Sequence, residues 1–428
     1  MKVAIAGYGI EGKASLAYWR GLGDHVTVLD ERTVDGVPGD TEVVVGPDVF
    51  QNLTQYDLVV RTASLRPDKL RGAKKVWSAT NEFFEKCPAQ IVGVTGTKGK
   101  GTTCSLVVSI LRSAGKTVHL VGNIGTPALE VLPSIKPNDV VVYELSSFQL
   151  WDLEKSPHIA VVLMIEPDHL DVHVNFDEYI EAKQQIVTYQ TSDDIVFYNP
   201  TNLHSKQIAI ASKGQKIRYG TPEGNAVYVK ENKFFTQGHL ICGVDTLQLV
   251  GRHNLENACA AISAVLAYDK NTSFNDIKKG LHDFTGLPHR LRFVREVSGV
   301  KYYDDSIATT PGSAIAALDS FVEPKIIILG GFDKGADYSD VVAKCRDTNT
   351  VVLAVGQTGE KIFELAKHAN VVVHRLRGLM DEVVAFAYKL AEPGTVVILS
   401  PASASFGQYK NYSERGDQFV EAVKQLAN

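Results

Sequence analysis

The chain has 428 residues, 44% of them hydrophobic, and a formal net charge of -5. That length exceeds one typical core and points to two or three domains, and the acidic balance leaves no overall basic field to hold a nucleic acid. Five scattered cysteines (Cys87, Cys104, Cys242, Cys259, Cys345) show no Cys-x-x-Cys spacing and argue against a disulfide frame or a zinc site. The apolar runs are of strand length, too short to span a bilayer, and Met1 leads at once into strand-like KVAIAG, leaving no room for a signal peptide. The expectation is a soluble, cytoplasmic protein that binds neither nucleic acid nor membrane.

In chain order, apolar strand-like runs alternate with helical segments, the pattern of parallel α/β sheets. A first block, Lys2 to about Cys87, contains KVAIAG, HVTVLD, TEVVVG and YDLVVRT. A second contains AQIVGVTG, TVHLVG, DVVVYEL, IAVVLMI and DDIVFYN, a β-rich stretch over 216–249 and a helix beginning near His253. A third, from about Leu291, contains GVKYYDD, KIIILGG, TVVLAVG and TVVILS. The breaks are soft and proline-marked, at EKCPAQ and TGLPHRLRF. The predicted organisation is three α/β domains, 1–87, 88–290 and 291–428, with ligands in the crevices.

Gly7-Tyr8-Gly9-Ile10-Glu11-Gly12 fits G-x-G-x-x-G between a strand and a helix, where backbone N–H groups approach a phosphate, and Asp30 ends the next strand. This suits a dinucleotide or another phosphorylated ligand. A second loop, Gly96-Thr97-Lys98-Gly99-Lys100-Gly101-Thr102-Thr103, follows a buried-strand pattern and precedes the helical CSLVVSILRSAG. That context suits a nucleoside triphosphate, with backbone amides around the phosphates, Lys100 on the β- and γ-oxygens, and Thr102 or Thr103 offering a hydroxyl to Mg²⁺. The spacing departs from the common G-x-x-x-x-G-K-[ST], and Gly101 rather than a hydroxyl residue follows Lys100. Glu144 ends a strand where a second Mg²⁺ ligand usually sits. IEPDHLDVH crowds Asp168, His169, Asp171 and His173 after a strand, which suggests a metal site, although His173 alone reads as a surface histidine.

The motifs GVTGTKGKGTT, GNIG, ELSSFQL, PDHLDVH, GRHNLENACAA, GLPHRLRF, DDSIATT, GGFDKGADYS and LSPASASFGQYKNYSERGDQF together resemble the Mur ligases, ATP-dependent amide-forming enzymes of bacterial cell-wall synthesis. The resemblance runs in order along essentially the whole chain. It is greatest to the branch that adds D-glutamate to UDP-N-acetylmuramoyl-L-alanine, to which the last two motifs are most specific. It implies an N-terminal Rossmann-like nucleotide-sugar domain, a central P-loop-type ATPase domain and a C-terminal Rossmann-like domain, in a monomer using ATP and Mg²⁺.

The implied chemistry moves the γ-phosphoryl group of ATP to the substrate carboxylate and lets an amine displace phosphate from the acyl phosphate. By the resemblance, Gly96 to Thr103, Asn254, Arg290 and Asp305 serve ATP. Thr102, Glu144, His169 and a carbamylated Lys183 hold Mg²⁺, and Lys100, His169 and Lys183 carry catalysis. Gly9, Ile10, Asp30, Thr62 and Asn123 serve the UDP substrate, which reassigns the first glycine loop from a dinucleotide to a nucleotide-sugar pyrophosphate. Thr309, Lys334, Ser405 and Tyr412 bind D-glutamate.

Four positions depart from the pattern. Ile307 and Thr310 stand where this branch usually carries the lysine and asparagine of DSKATN, Gly101 replaces a hydroxyl residue, and Met164 replaces an asparagine. The competing expectations are another acceptor within the superfamily (a different Mur-type or a folylpolyglutamate-type ligase), a nicotinamide dehydrogenase, or a nucleotide-driven scaffold.

Overall fold

Runs of Val, Ile and Leu that read as strands in the sequence form the sheets of the computed structural model, which describes residues 1–224 and 226–427. The first sheet holds β1 Lys2–Ala6, β2 His25–Asp30, β3 Glu42–Val45, β4 Leu58–Arg61 and β5 Val76–Ser78, all parallel, in the order β3-β2-β1-β4-β5. The second holds β6 Gln90–Thr95, β7 Val118–Gly122, β8 Val140–Glu144, β9 Ile159–Val162, β10 Ile195–Tyr198 and β11 Gln215–Arg218, also parallel, in the order β11-β10-β9-β6-β8-β7. An antiparallel set, β12 Val227–Lys230, β13 Lys233–Thr236 and β14 His239–Gly243, follows. The last sheet holds β15 Arg292–Val297, β16 Val300–Asp304, β17 Lys325–Leu329, β18 Val351–Ala354, β19 Val373–Arg375 and β20 Val396–Leu399, in the order β15-β16-β20-β17-β18-β19. Its edge strand β15 runs antiparallel to β16 and the other pairs are parallel.

Central strands are buried along their whole length, as β4, β8, β9, β17 and β20 are, because helices cover both faces of a parallel sheet. β3 is the contrast, an edge strand exposed at all four residues. Three strands escape the sequence pattern. β5 and β19 are only three residues long, and β15 (RFVREV) is an edge strand half of whose residues are charged.

The chain folds as two compact units. One comprises Met1–Leu247 with Leu255–Phe284, and the other Gln248–Asn254 with Thr285–Asn428. Within the first unit the first and second sheets share one apolar cluster, running from Val3, Ile5 and Val60 through Phe83 and Phe84 to Val141, Tyr143 and Val162. Phe83 meets Tyr143 edge-on at 5.4 Å between ring centroids. Arg61, at the end of β4, forks onto Asp152 with Nε–Oδ2 at 2.7 Å and Nη2–Oδ1 at 2.6 Å. In the second unit apolar clusters pack on the last sheet around Tyr302, Leu399 and Phe419, around Ile327, Tyr338 and Val352, and around Tyr303, Phe321 and Ile398.

Candidate active site

The second glycine loop joins β6 to the helix Lys100–Ser113. Gly99 caps that helix at φ +82°, and a Cβ there would lie 2.3 Å from Asn257 Oδ1. Gly96 sits at φ +157°, and its Cβ would lie 2.7 Å from Leu163. Glycine is therefore required at both positions, and the backbone is left open to an incoming phosphate. Thr97 braces the loop from behind. Its hydroxyl donates to Glu166 O (3.0 Å), accepts from Glu166 N (2.9 Å) and lies 3.0 Å from the Tyr179 hydroxyl. Thr103 is fully buried, with Oγ1 3.4 Å from Asn257 Oδ1, which leaves Thr102 as the hydroxyl in the first turn nearer solvent.

Two amines converge on one carbonyl. Lys100 Nζ donates to Gly96 O at 2.9 Å, and Lys183 Nζ, from the helix Phe176–Thr188, donates to the same oxygen at 3.0 Å. Lys183 is 1% exposed and sits 4.6 Å from the centroid of the Tyr179 ring. Burial, then the charge of Lys100, pushes its pKa well below the ordinary lysine value, against the opposing pull of Asp168 and Glu144. Glu144 ends β8 buried. Its Oε1 accepts from Asn123 Nδ2 at 3.1 Å, while Oε2 has no hydrogen-bond partner. An orphaned buried carboxylate oxygen beside a phosphate-type loop is a fit for a cation, and oxygen donors suit Mg²⁺.

The IEPDHLDVH segment behaves differently from its sequence reading. Among the described residues no group of three or more His, Cys, Asp or Glu side chains is placed to hold a metal, so the expected cluster of Asp168, His169, Asp171 and His173 does not converge. Asp171 faces solvent. His169 takes a left-handed turn (φ 54°), is half exposed, and rests against Phe148 at 4.9 Å. His173 is not a surface residue. It is 2% exposed, Nε2 is 3.0 Å from Ser147 Oγ, and the ring stacks on Phe148. Burial lowers its pKa, because the charged imidazolium is disfavoured in that aromatic nest. Lys98 is largely exposed, 3.8 Å from Asp168.

In the first glycine loop, Gly7 (φ +95°) and Gly12 are demanded by packing: added Cβ atoms would lie 2.3 Å from Thr62 Oγ1 and 2.2 Å from Gly7 O. Gly9 has nothing within 4 Å, and the next residue, Ile10, is exposed. Thr62 Oγ1 donates to Ala6 O (2.8 Å), and Asp30 accepts from Tyr8 N (2.8 Å) and Arg32 N (2.9 Å), so both side chains shape the loop.

The second unit carries Asn254, Arg290, Asp305 and the four residues expected to bind D-glutamate. Asn254 lies in the first turn of the helix Arg252–Tyr268 and donates to Val250 O at 2.7 Å. Arg290 is exposed between two left-handed residues, His289 (φ 60°) and Leu291 (φ 43°). The flanking acids hold that kink. Asp304 Oδ2 is 2.7 Å from His289 Nδ1, and Asp305 Oδ1 accepts from Leu291 N at 3.0 Å while Oδ2 accepts from Ser400 Oγ at 2.7 Å. Burial pushes the Asp305 carboxyl up to about 7. Thr309 and Lys334 are exposed, with Lys334 Nζ 5.2 Å from the Phe406 ring centroid. Ser405 is buried, and Tyr412 opens the helix Tyr412–Gln425. Ile307 is half-buried, its N–H donating to His289 O at 3.0 Å.

The Mur ligase middle domain matches residues 94–265, and the Mur ligase glutamate ligase domain matches residues 289–403. The chain is 36% identical, over 99% of its length and 96% of the other, to the UDP-N-acetylmuramoylalanine–D-glutamate ligase of Acetivibrio thermocellus. The enzyme of that name from Clostridium botulinum strain 657 is 34% identical over 99% and 97%. The chain belongs to the Mur ligases. A solved Mur ligase, MurF of Thermotoga maritima in complex with ADP, shares the fold at a TM-score of 0.61 and 17% identity, covering 99% of this chain and 94% of that one. As a Mur ligase the chain is an ATP-dependent enzyme, and the glycine-loop reading as a nicotinamide dehydrogenase falls away. Sequence reasoning missed the supports behind the Mur ligase motifs: Tyr179 behind Thr97, Asn257 against Gly99, the His289–Asp304 pair and Arg415. Asn257 and Arg415 lie inside the motifs RHNLENACAA and NYSERGDQF, and that position is the signal that marks them.

Proposed function

We propose that this protein joins D-glutamate to UDP-N-acetylmuramoyl-L-alanine in peptidoglycan precursor synthesis, consuming ATP. The observation that carries the reading is similarity along the full chain to ligases of that name, at 34–36% identity over 99% of its length. The γ-phosphoryl group passes to the alanyl carboxylate as its bond to ADP breaks. The amine of D-glutamate then attacks the acyl carbon, the C–N bond forms, phosphate leaves and the amine sheds a proton.

Residues 1–87 take the nucleotide sugar at Gly9, Ile10, Asp30 and Thr62, aided by Asn123 from the next domain. Residues 88–290 hold ATP through Gly96 to Thr103 and Asn254, and residues 291–428 bring D-glutamate to Thr309, Lys334, Ser405 and Tyr412. Arg290 and Asp305 also serve ATP. Lys100 stabilises charge on the transferring phosphoryl group. The open space at Gly9 and the first-turn amides support the UDP assignment.

Thr102, Glu144, His169 and a carbamylated Lys183 would hold Mg²⁺, which when bound supplies positive charge between phosphate oxygens. An ammonium has only donors and cannot ligate a cation. A neutral amine attacks CO₂, loses a proton and becomes an anionic carbamate. The buried, depressed-pKa environment of Lys183 favours that neutral amine. The enzyme works as a monomer in the cytoplasm.

A phosphate-release assay with ATP, UDP-N-acetylmuramoyl-L-alanine and a panel of amino acids tests the proposal. Release is expected with D-glutamate. Release with a different acceptor and none with D-glutamate would move the protein to another branch of the superfamily.

A further inference from the structure

Four separate segments carry the groups assigned to the acceptor: Ser306–Thr309, Phe332–Lys334, Ser403–Ser405 and Tyr412. One side chain binds them together. Arg415, from the helix Tyr412–Gln425, is 2% exposed. Its Nε donates to Ser306 Oγ at 3.0 Å and its Nη2 to Ser306 O at 2.8 Å. Its Nη1 donates to Ser403 O at 3.1 Å and Ala404 O at 3.2 Å. Ser306 Oγ in turn donates to Tyr412 O at 2.8 Å, and Ala404 O also accepts from Phe332 N at 2.8 Å. A planar fork of five donors is the side chain suited to fixing several acceptors at once.

Among the described residues no acid lies within salt-bridge distance of this fork, and Asp304 supports its charge from farther off. The nearby carboxylates are engaged elsewhere, with Asp304 at 2.7 Å and Asp417 at 3.7 Å from the His289 ring. Arg415 meets hydroxyl and carbonyl oxygens only, and burial lowers its pKa to about 10. It also lines, with Gly330, Gly331, Ser405 and Tyr409, a cavity of about 20 Å³ just beyond the carboxyl ends of β17 and β20, which is the place where open α/β sheets bind ligands. A buried cation whose supporting acid is shared with His289 is costly until an anion arrives.

We infer that Arg415 is the positioning residue of the acceptor subsite: it sets the spacing of the loops that grip the amino acid, and its incompletely matched charge favours an acceptor bearing a carboxylate. This rests on the D-glutamate reading above.

The test uses the full-length enzyme with Arg415→Lys, Arg415→Met and Ser306→Ala, measuring KM for each substrate, kcat and Tm. Arg415→Lys keeps the charge but loses the fork, and is expected to raise the KM for D-glutamate by roughly 10-fold or more while the KM for ATP stays within about 2-fold. Arg415→Met should also abolish the preference for D-glutamate over D-glutamine. Ser306→Ala removes one link without burying a new charge, so it should fold and raise the D-glutamate KM by about 3-fold. Ser306→Ala decides the matter if both Arg415 variants fail to fold. Equal changes in every KM alongside a fall in Tm, or a fall in kcat with the D-glutamate KM unmoved, would overturn the inference. If the wild-type enzyme ignores D-glutamate but uses another amino acid, the functional proposal fails, and the same KM split on that acceptor decides the role of Arg415.

Discussion

Lys100 and Lys183 reach the same carbonyl oxygen, that of Gly96, at 2.9 and 3.0 Å. Two ammonium groups that close repel, and the buried one yields its proton. In the proposed function Lys100 faces the phosphate, and Lys183, whose pKa burial depresses, is the amine that takes up CO₂. Lys100→Ala is expected to fold with an unchanged Tm and to lose roughly 10³-fold or more in turnover, the scale of removing one oriented charge from a transition state. Near-wild-type phosphate release from that variant would remove Lys100 from the chemistry. Lys183→Ala is expected to lose activity and to regain part of it when short-chain carboxylic acids are added, because they restore an oxygen donor. Full activity without added acid would exclude Lys183 as a ligand. The motif made Lys100 legible in the sequence. Lys183 was legible only through the family resemblance, since a helical lysine is ordinarily a solvated one, and nothing local announces that its helix turns it inward. His173 shows the same limit in reverse, because only the aromatic cage of Phe148, Trp151 and Tyr179 makes it a buried residue.

At the scale of elements, two glycine turns that look alike in sequence differ in what requires them. At Gly99 the left-handed backbone and the side chain of Asn257 both exclude a Cβ. Gly99→Ala should therefore cost about 1–2 kcal/mol from backbone conformation alone, lower Tm by several degrees and weaken ATP binding. At Gly9 nothing lies within 4 Å and φ is -75°, so Gly9→Ala should leave Tm unchanged and weaken only the UDP substrate, as read by calorimetric titration. Equal loss of stability in both variants would contradict this division. The kink at His289–Leu291 is a third element, held by Asp304 and Asp305. The Asp305 carboxyl is raised from 3.8 to about 7, so between those values the folded chain holds a proton that the unfolded chain has lost. Stability contributed by this group is thus full below about pH 4 and declines as pH rises toward 7. The difference in unfolding free energy between wild type and Asp305→Asn should shift in favour of the variant from pH 4 to pH 7 and then level off. A pH-independent difference would place the carboxyl in its ordinary range. The sequence revealed the alternation of strands and helices and the central strands of each sheet, because continuous Val and Ile runs are what a doubly covered parallel strand requires. It did not reveal β5, β15 or β19, which are short or charged edges whose pairing is decided by neighbours rather than by their own pattern.

At the scale of the whole molecule, the sequence suggests three α/β domains in contact, and the first two sheets lie in one compact unit with a common apolar cluster. One polar joint between them is Arg61, whose side chain is fully buried, forked onto Asp152, which is 24% exposed. Arg61 also donates to the backbone carbonyls of Leu65 and Phe148, one on each side of the joint. Removing one partner strands a buried charge, and such losses run to about 3–5 kcal/mol, whereas replacing both partners with apolar groups is often close to neutral. Asp152→Ala is therefore expected to lower the stability of this unit sharply, and the double replacement Arg61→Met with Asp152→Leu should recover most of the loss. If the shared cluster makes the two sheets cooperative, backbone amides of β1 and β6 will exchange with solvent at the same opening free energy, and Asp152→Ala will lower both together. Exchange of β1 at a clearly lower free energy than β6, with only β1 responding to Asp152→Ala, would mean that the nucleotide-sugar sheet unfolds alone and that the joint is a contact between independent domains.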